Sequence, residues 1–220
     1  MREGADKQQQ LERLLRNPRI RRAGRARDAA GDVLPVDVIP TGFAELDAVL
    51  NGGWPAAALT ELLVDAYGSG ELRLLMPALA AAARDQVRDQ TAATAMNVWV
   101  AAPYIPYAPA LRYAGLDPAS VLLVAADSDE EALWSMEQAL QSPACKAVLG
   151  WVRKASMRSL RRLQLAAEKN RCWVVAFRPT ATRTDASVAA LRIQLKATER
   201  LQLDVFKNRT GQPAQLVLQL

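Results

Sequence analysis

Short β-branched apolar runs alternate with longer alanine- and leucine-rich segments of helical period from residue 36 onward. The apolar runs predict strands at "LTELLV" (59–64), "NVWVAA" (97–102), "SVLLVA" (120–125), "KAVLGWV" (146–152) and "CWVVAF" (172–177). The intervening segments predict helices over 71–86, 106–114, 128–141 and 155–169. Strands and helices in alternation are the signature of parallel strands joined by helical crossovers, and strands built on continuous apolar runs fit a sheet covered on both faces. After "ASVAALRIQL" the pattern changes to "ERLQLDVF", "KNRTGQ" and "AQLVLQL", two strands about a turn at Thr210 and Gly211. The expected fold is α/β: a mostly parallel central sheet flanked by helices and ending in an antiparallel hairpin. No internal repeat is visible.

Composition narrows the picture. The chain has 220 residues, 50% of them hydrophobic, enough for one sizeable core. That core domain is expected over residues 36–220, preceded by a basic arm over residues 1–35. The stretch "RLLRNPRIRRAGRAR" holds seven arginines and no acid, among them Arg19, Arg21, Arg22 and Arg25. Such an arm is either a solvated tail or a segment that docks on nucleic acid or on an acidic protein face. The net charge of +5 permits a polyanionic partner without requiring one. Cys145 and Cys172 adjoin apolar runs and are expected to be buried free thiols. The absence of histidine removes the commonest metal ligand and proton shuttle, so no metal site, cofactor or nucleophilic centre is expected. No run approaches the roughly 20 apolar residues of a membrane span, and there is no signal-peptide core, so a cytoplasmic protein with no membrane contact is expected.

One segment carries candidate chemistry. "AYGSGELRL", residues 66–74, places a glycine-rich turn between a strand and a helix, where a phosphate-binding loop would sit. Such a loop needs backbone N–H groups that form an anion nest, a lysine for the terminal phosphates and a hydroxyl for Mg²⁺. Gly68, Ser69 and Gly70 supply the turn, but Glu71 and Leu72 stand where the lysine and hydroxyl belong. Two opposite unit charges about 4 Å apart attract by roughly 4 kcal/mol at an effective dielectric of 20, and glutamate reverses that sign. The structural alternative is a plain strand-to-helix turn in which Glu71 favours the helix N-terminus.

The stretch "IPTGFAELDAVLNGGWPAAALTELL", residues 39–63, resembles the approach to the ATPase core of RecA-type recombinases. There a Thr-Gly pair, a Leu-Asp pair and a glycine-rich bend precede the first core strand. Within that superfamily, "TGFAELDAVLNGGWP" followed by "GSGELRLLMPAL" is similar to the ImuA family of RecA-like accessory proteins of damage-induced mutagenesis, a likeness that takes in the basic arm. The resemblance implies a RecA-like core over about residues 38–210 with a degenerate nucleotide site. At the position of RecA's water-activating glutamate stands Pro103, at its metal-holding aspartate Trp151, and at its nucleotide-sensing glutamine Pro179. Together with Glu71 these departures imply that catalysis has been lost. The segments matching RecA's DNA-binding loops are cut to "RKAS" and "PTATRTDAS".

The resemblance further implies a non-catalytic adaptor of translesion synthesis. Its partners would be a polymerase-related scaffold of the ImuB type, through it an error-prone DNA polymerase and the sliding clamp, and also RecA. DNA contact through the basic arm is a further expectation. Three alternatives remain open at this level: a SulA-like cell-division inhibitor that binds the tubulin-like division GTPase, a DNA-binding module, and a residual Mg²⁺-dependent ATPase. Candidate contact residues outside the arm are Arg158, Arg161 and Arg162, on one helical face opposite Met157, Leu160, Leu163 and Ala167, and Lys207 and Arg209 at the hairpin. A solvated face is the bland reading of the arginines. Tyr104 and Tyr107, among the prolines of "PYIPYAP", are candidates to present rings to a partner, whereas Trp54 and Trp134 are expected in the core.

Overall fold

A computed structural model describes residues 37–87 and 96–219 of the chain. Arg19, Arg21, Arg22 and Arg25 therefore lie outside the described residues. A two-stranded ribbon, β1 (Val38–Ile39) and β2 (Trp54–Pro55), brackets helix α1 (Ala44–Leu50). Thr41 and Asp47 shape the bend into α1, since Asp47 Oδ1 accepts the Thr41 N–H at 2.8 Å. Gly53, at φ 142°, is forced by contact as well as by dihedral, because a Cβ there would lie 2.1 Å from the Ile39 carbonyl oxygen.

The main sheet follows. It comprises β3 (Leu59–Val64), β4 (Met96–Val100), β5 (Val121–Val124), β6 (Cys145–Trp151), β7 (Trp173–Pro179), β8 (Leu191–Ala197), β9 (Leu201–Asn208) and β10 (Ala214–Leu218). The helices are α2 (Glu71–Val87), α3 (Ala108–Tyr113), α4 (Asp129–Leu140) and α5 (Met157–Asn170). Strand order is β10-β9-β8-β3-β7-β6-β4-β5, parallel from β8 to β5 and antiparallel through β9 and β10. The chain is thus α/β, with a mostly parallel mixed sheet of eight strands flanked by helices and a C-terminal antiparallel hairpin.

Strand β3 is buried at all six positions because both faces are covered. On one face Leu62, Val175, Phe177 and Ile193 pack under Leu46 and Leu50 of α1 and Leu75 and Leu79 of α2. On the other, Val98, Val148 and Val174 pack under Met136 and Leu140 of α4 and Leu160 and Leu163 of α5. At about 25 cal/mol per Å² of apolar surface, these two layers supply the main driving force for the fold. Helix α4 approaches β6 closely at Gly150, where a Cβ would lie 2.2 Å from Met136 Sδ.

Several expectations need correction. Trp134 is 58% exposed rather than core, because the inward stripe of α4 is Ala132, Met136 and Leu140, and a residue two positions from Ala132 points away. Met157 is the first residue of α5 and is exposed, unlike its expected face-mates Leu160, Leu163 and Ala167, which are buried. The "ASVAALRIQL" stretch contains a full sheet strand, β8, that pairs with β3. Lys207 lies within β9 rather than in the turn. Among the described residues no helix is long and apolar enough to cross a membrane.

Candidate functional site

Parallel strands end together, so the segments that follow β3, β4, β6 and β7 gather at one edge of the sheet. That edge is where open α/β sheets bind ligands. It brings together the glycine loop after β3, Pro103 after β4, Trp151 at the end of β6 and Pro179 at the end of β7, with Val64 opposite Pro179 and Trp151 opposite Phe177 across the ladders. All four departures from the RecA pattern therefore occupy one neighbourhood.

Gly68 and Gly70, at φ 83° and 104°, give the turn that delivers the chain into α2. Glu71 opens that helix, and its carboxylate folds back into the loop: Oε1 accepts the Gly68 N–H at 2.6 Å and Oε2 accepts the Ser69 hydroxyl at 3.4 Å. The Ser69 hydroxyl is also within donor reach of the Ala66 carbonyl, at 3.0 Å. Glu71 is 2% exposed. The loop's donors thus face a carboxylate of the same chain, set at a helix N-terminus where negative charge is favoured. At the end of β3, Asp65 accepts a hydrogen bond from the Thr180 hydroxyl and adds a second carboxylate to the same edge.

Below the loop the edge is filled with rings. Trp151 stacks on Phe177 at 4.6 Å and lies 6.1 Å from Trp99, tilted by 55°. Tyr67 and Leu72 pack against the same layer. Burial pushes the Tyr67 phenol above its ordinary pKa, partly countered by Arg153. Tryptophan offers no oxygen to a hydrated Mg²⁺, and proline has no side-chain group with which to activate water or sense a phosphate. The described side chains at this edge thus add two carboxylates, Asp65 and Glu71, and a layer of buried rings.

The segments expected as shortened DNA loops are pinned. Arg153 and Lys154 donate their backbone N–H groups to Asp129 Oδ1 and Oδ2 at 2.8 and 3.0 Å, tying the "RKAS" segment to the start of α4. Ser156 then caps α5. The segment after β7 is held by a feature that local patterning did not reveal, a buried Arg178–Glu61–Arg192 triad. Arg178 Nη1 donates to Glu61 Oε1 at 2.9 Å, and Arg192 Nε donates to Glu61 Oε2. Arg192 spends its remaining donors on the carbonyls of Thr182, Arg183 and Asp185 at 2.8 to 3.1 Å. The sequence signal for the triad is a charge inside each of three strands, Glu61, Arg178 and Arg192.

The remaining candidates separate. Arg158, Arg161 and Arg162 are exposed along α5; Arg162 is bridged to Glu137 of α4, and the other two guanidinium groups have no ion pair among the described residues. Lys207 is half-buried and donates to the Ser187 carbonyl at 2.7 Å, and burial, with Arg192 and Arg209 nearby, pushes its pKa below the ordinary lysine value. Arg209 donates to the Val188 carbonyl at 3.2 Å and lies 3.4 Å from Glu168. These two groups brace the chain that leads into β8. Tyr104, Ile105, Tyr107 and Tyr113 are exposed, as are Leu122 and Leu123 on the edge strand β5. Cys145 and Cys172 are buried free thiols 3.9 Å apart. Their hydrogen bond and burial push the Cys172 thiol up.

No family model matches the chain, and no curated protein matches it.

Proposed function

We propose that this chain is a non-catalytic, RecA-like adaptor of the ImuA type that works by docking rather than by nucleotide turnover. The observation that carries the reading is the Glu71 carboxylate seated in its own glycine loop, 2.6 Å from the Gly68 N–H, above a ring layer built on Trp151. Four positions that an ATPase needs are altered at one edge, so restoring any single one leaves the others absent. The second support is surface character. Tyr104, Ile105, Tyr107, Leu122 and Leu123 expose apolar surface along and beside an edge strand, where a monomeric protein ordinarily places charge.

In this reading the protein is cytoplasmic and takes no cofactor. Its partner is a polymerase-related scaffold of the ImuB type, with RecA and an error-prone DNA polymerase as further members of the assembly. The basic arm is its route to DNA. The test is affinity capture of the tagged chain from DNA-damaged cells, followed by measurement of the strongest pair with purified proteins. Recovery of a polymerase-related scaffold that binds directly supports the proposal. Recovery of the tubulin-like division GTPase, or of DNA alone with steep salt dependence, rejects it.

A further inference from the structure

Helices α4 and α5 lie side by side on one face of the sheet, and both run antiparallel to the strands because each is a crossover between parallel strands. Their outer surfaces carry opposite charge. From Asp127 to Gln141 there are five acids and no base, whereas from Arg153 to Arg171 there are seven bases and one acid, Glu168. Only part of this charge is neutralised within the chain. Arg162 bridges to Glu137 across the helix pair, while the side chains of Glu130, Arg158 and Arg161 are exposed with no hydrogen bond or ion pair among the described residues. Between the two walls runs a groove in two stretches of about 800 and 510 Å³, meeting at the Arg162–Glu137 bridge. Exposed apolar side chains accompany it: Trp134 at 58% and Leu165 at 55%.

We infer that this helix pair is the docking surface for a second copy of the same chain. The surface is complementary to itself under one operation, a two-fold axis parallel to the helices and running along the groove. That axis sets the acidic α4 of each copy over the basic α5 of its partner, and it brings the two Trp134 rings into the contact from opposite sides. Both charge contacts are made at once, as an isologous interface requires. An anionic polymer fits less well, because the acids of α4, from Asp127 to Glu137, lie on the wall facing the arginines and repel it. The charges set orientation and partner choice, and the indole and Leu165 supply the apolar area. This inference stands independently of the adaptor reading.

The experiment is sedimentation velocity of the full chain over a hundredfold range of concentration, for the parent and two charge-reversed forms. One form carries Asp127→Lys and Glu130→Lys, which cuts the acidic excess of the α4 stretch from five to one. The other carries Arg158→Glu and Arg161→Glu, which cuts the basic excess of the α5 stretch from six to two. The parent is expected to be a dimer. Each form alone is expected to dissociate at least tenfold more readily, and their equimolar mixture to recover the dimer, because in the mixed pair the introduced lysines face the introduced glutamates while the other contact keeps its parent charges. Far-ultraviolet circular dichroism and thermal melting of each form distinguish a lost interface from a lost fold, and recovery on mixing does so again. A monomeric parent overturns the inference, whether or not Arg158 and Arg161 then bind DNA. So does a parent dimer that both reversals leave unchanged, or reversed forms that fold but fail to recover on mixing.

Discussion

Replacing Glu61 by leucine removes the carboxylate that bridges two guanidinium groups that are 1% and 5% exposed. The consequence follows from what remains. Arg192 keeps three carbonyl acceptors, at 2.8, 3.0 and 3.1 Å, but none that is charged. Arg178 keeps Asp185 Oδ2 at 3.6 Å, beyond hydrogen-bond length, and its Nε has no acceptor. Two cations then face each other across β3 with nothing between them. Removing one member of a buried ion cluster typically costs about 3–5 kcal/mol, because the partner is left charged and desolvated. For a chain of this size that lowers the melting temperature by roughly 6–20 °C, at about 2–4 °C per kcal/mol. The assay is urea unfolding followed by tryptophan fluorescence, with melting by calorimetry alongside. A second variant sharpens it: replacing Glu61, Arg178 and Arg192 together with leucine and two methionines restores most of the lost stability, since no buried charge remains unmatched. That triple variant nevertheless leaves Thr182–Asp185 without the Arg192 clamp, so proteolytic cleavage there increases. A Glu61→Leu cost below 1 kcal/mol, or a triple variant no more stable than the single one, refutes the reasoning.

Three further outcomes are expected. Gly150→Ala drives a Cβ toward Met136 Sδ, 2.2 Å away, and costs about 1–3 kcal/mol in urea unfolding through overpacking; a neutral result means α4 shifts freely on β6. Lys207 binds its proton less tightly folded than unfolded, so this group makes stability rise with pH just below 10.5, the unfolded value. In paired melts over alkaline pH, Lys207→Met lacks that rise, and parallel curves for the two proteins contradict the assigned burial. Joint substitution of Tyr104, Ile105 and Tyr107 by serine changes stability by no more than about 0.5 kcal/mol but weakens the captured complex; an unchanged complex removes this surface from the docking role.

Much of the architecture was legible, for identifiable reasons. Leu59–Val64 reads as a strand because Leu59 and the run Leu62–Val64 are apolar and a glycine-rich turn follows, and it is a strand over those residues with Thr60 and Glu61 buried within it. Strand β8 was not read as one because Arg192, Gln194 and Lys196 alternate with its apolar residues, and the charge that makes the buried Arg192 tolerable, Glu61, is 131 residues away in sequence. The tryptophans divide in the same manner. Trp54 follows two glycines and its burial was foreseen, whereas Trp134 belongs to a helix whose inward stripe is set by Ala132, Met136 and Leu140 rather than by its largest ring. At the glycine loop the sequence showed a glutamate where a lysine belongs. That the same carboxylate turns back onto the Gly68 N–H depends on the loop's dihedrals, which residue identity does not encode. Lys207 and Arg209 looked like exposed hairpin cations, and only the path of residues 187–190 reveals their carbonyl partners.

In the proposed function the Glu71 carboxylate sits in the glycine loop in place of a nucleotide phosphate. That reading is tested most directly by isothermal titration calorimetry of Mg²⁺ and ATP onto the full chain, for the parent and for Glu71→Lys, with phosphate release measured on the same samples. The account predicts no saturable heat for the parent and no hydrolysis for either protein, because Pro103, Trp151 and Pro179 remain when Glu71 is changed. Saturable Mg²⁺-dependent binding by the parent, or turnover by Glu71→Lys, contradicts it.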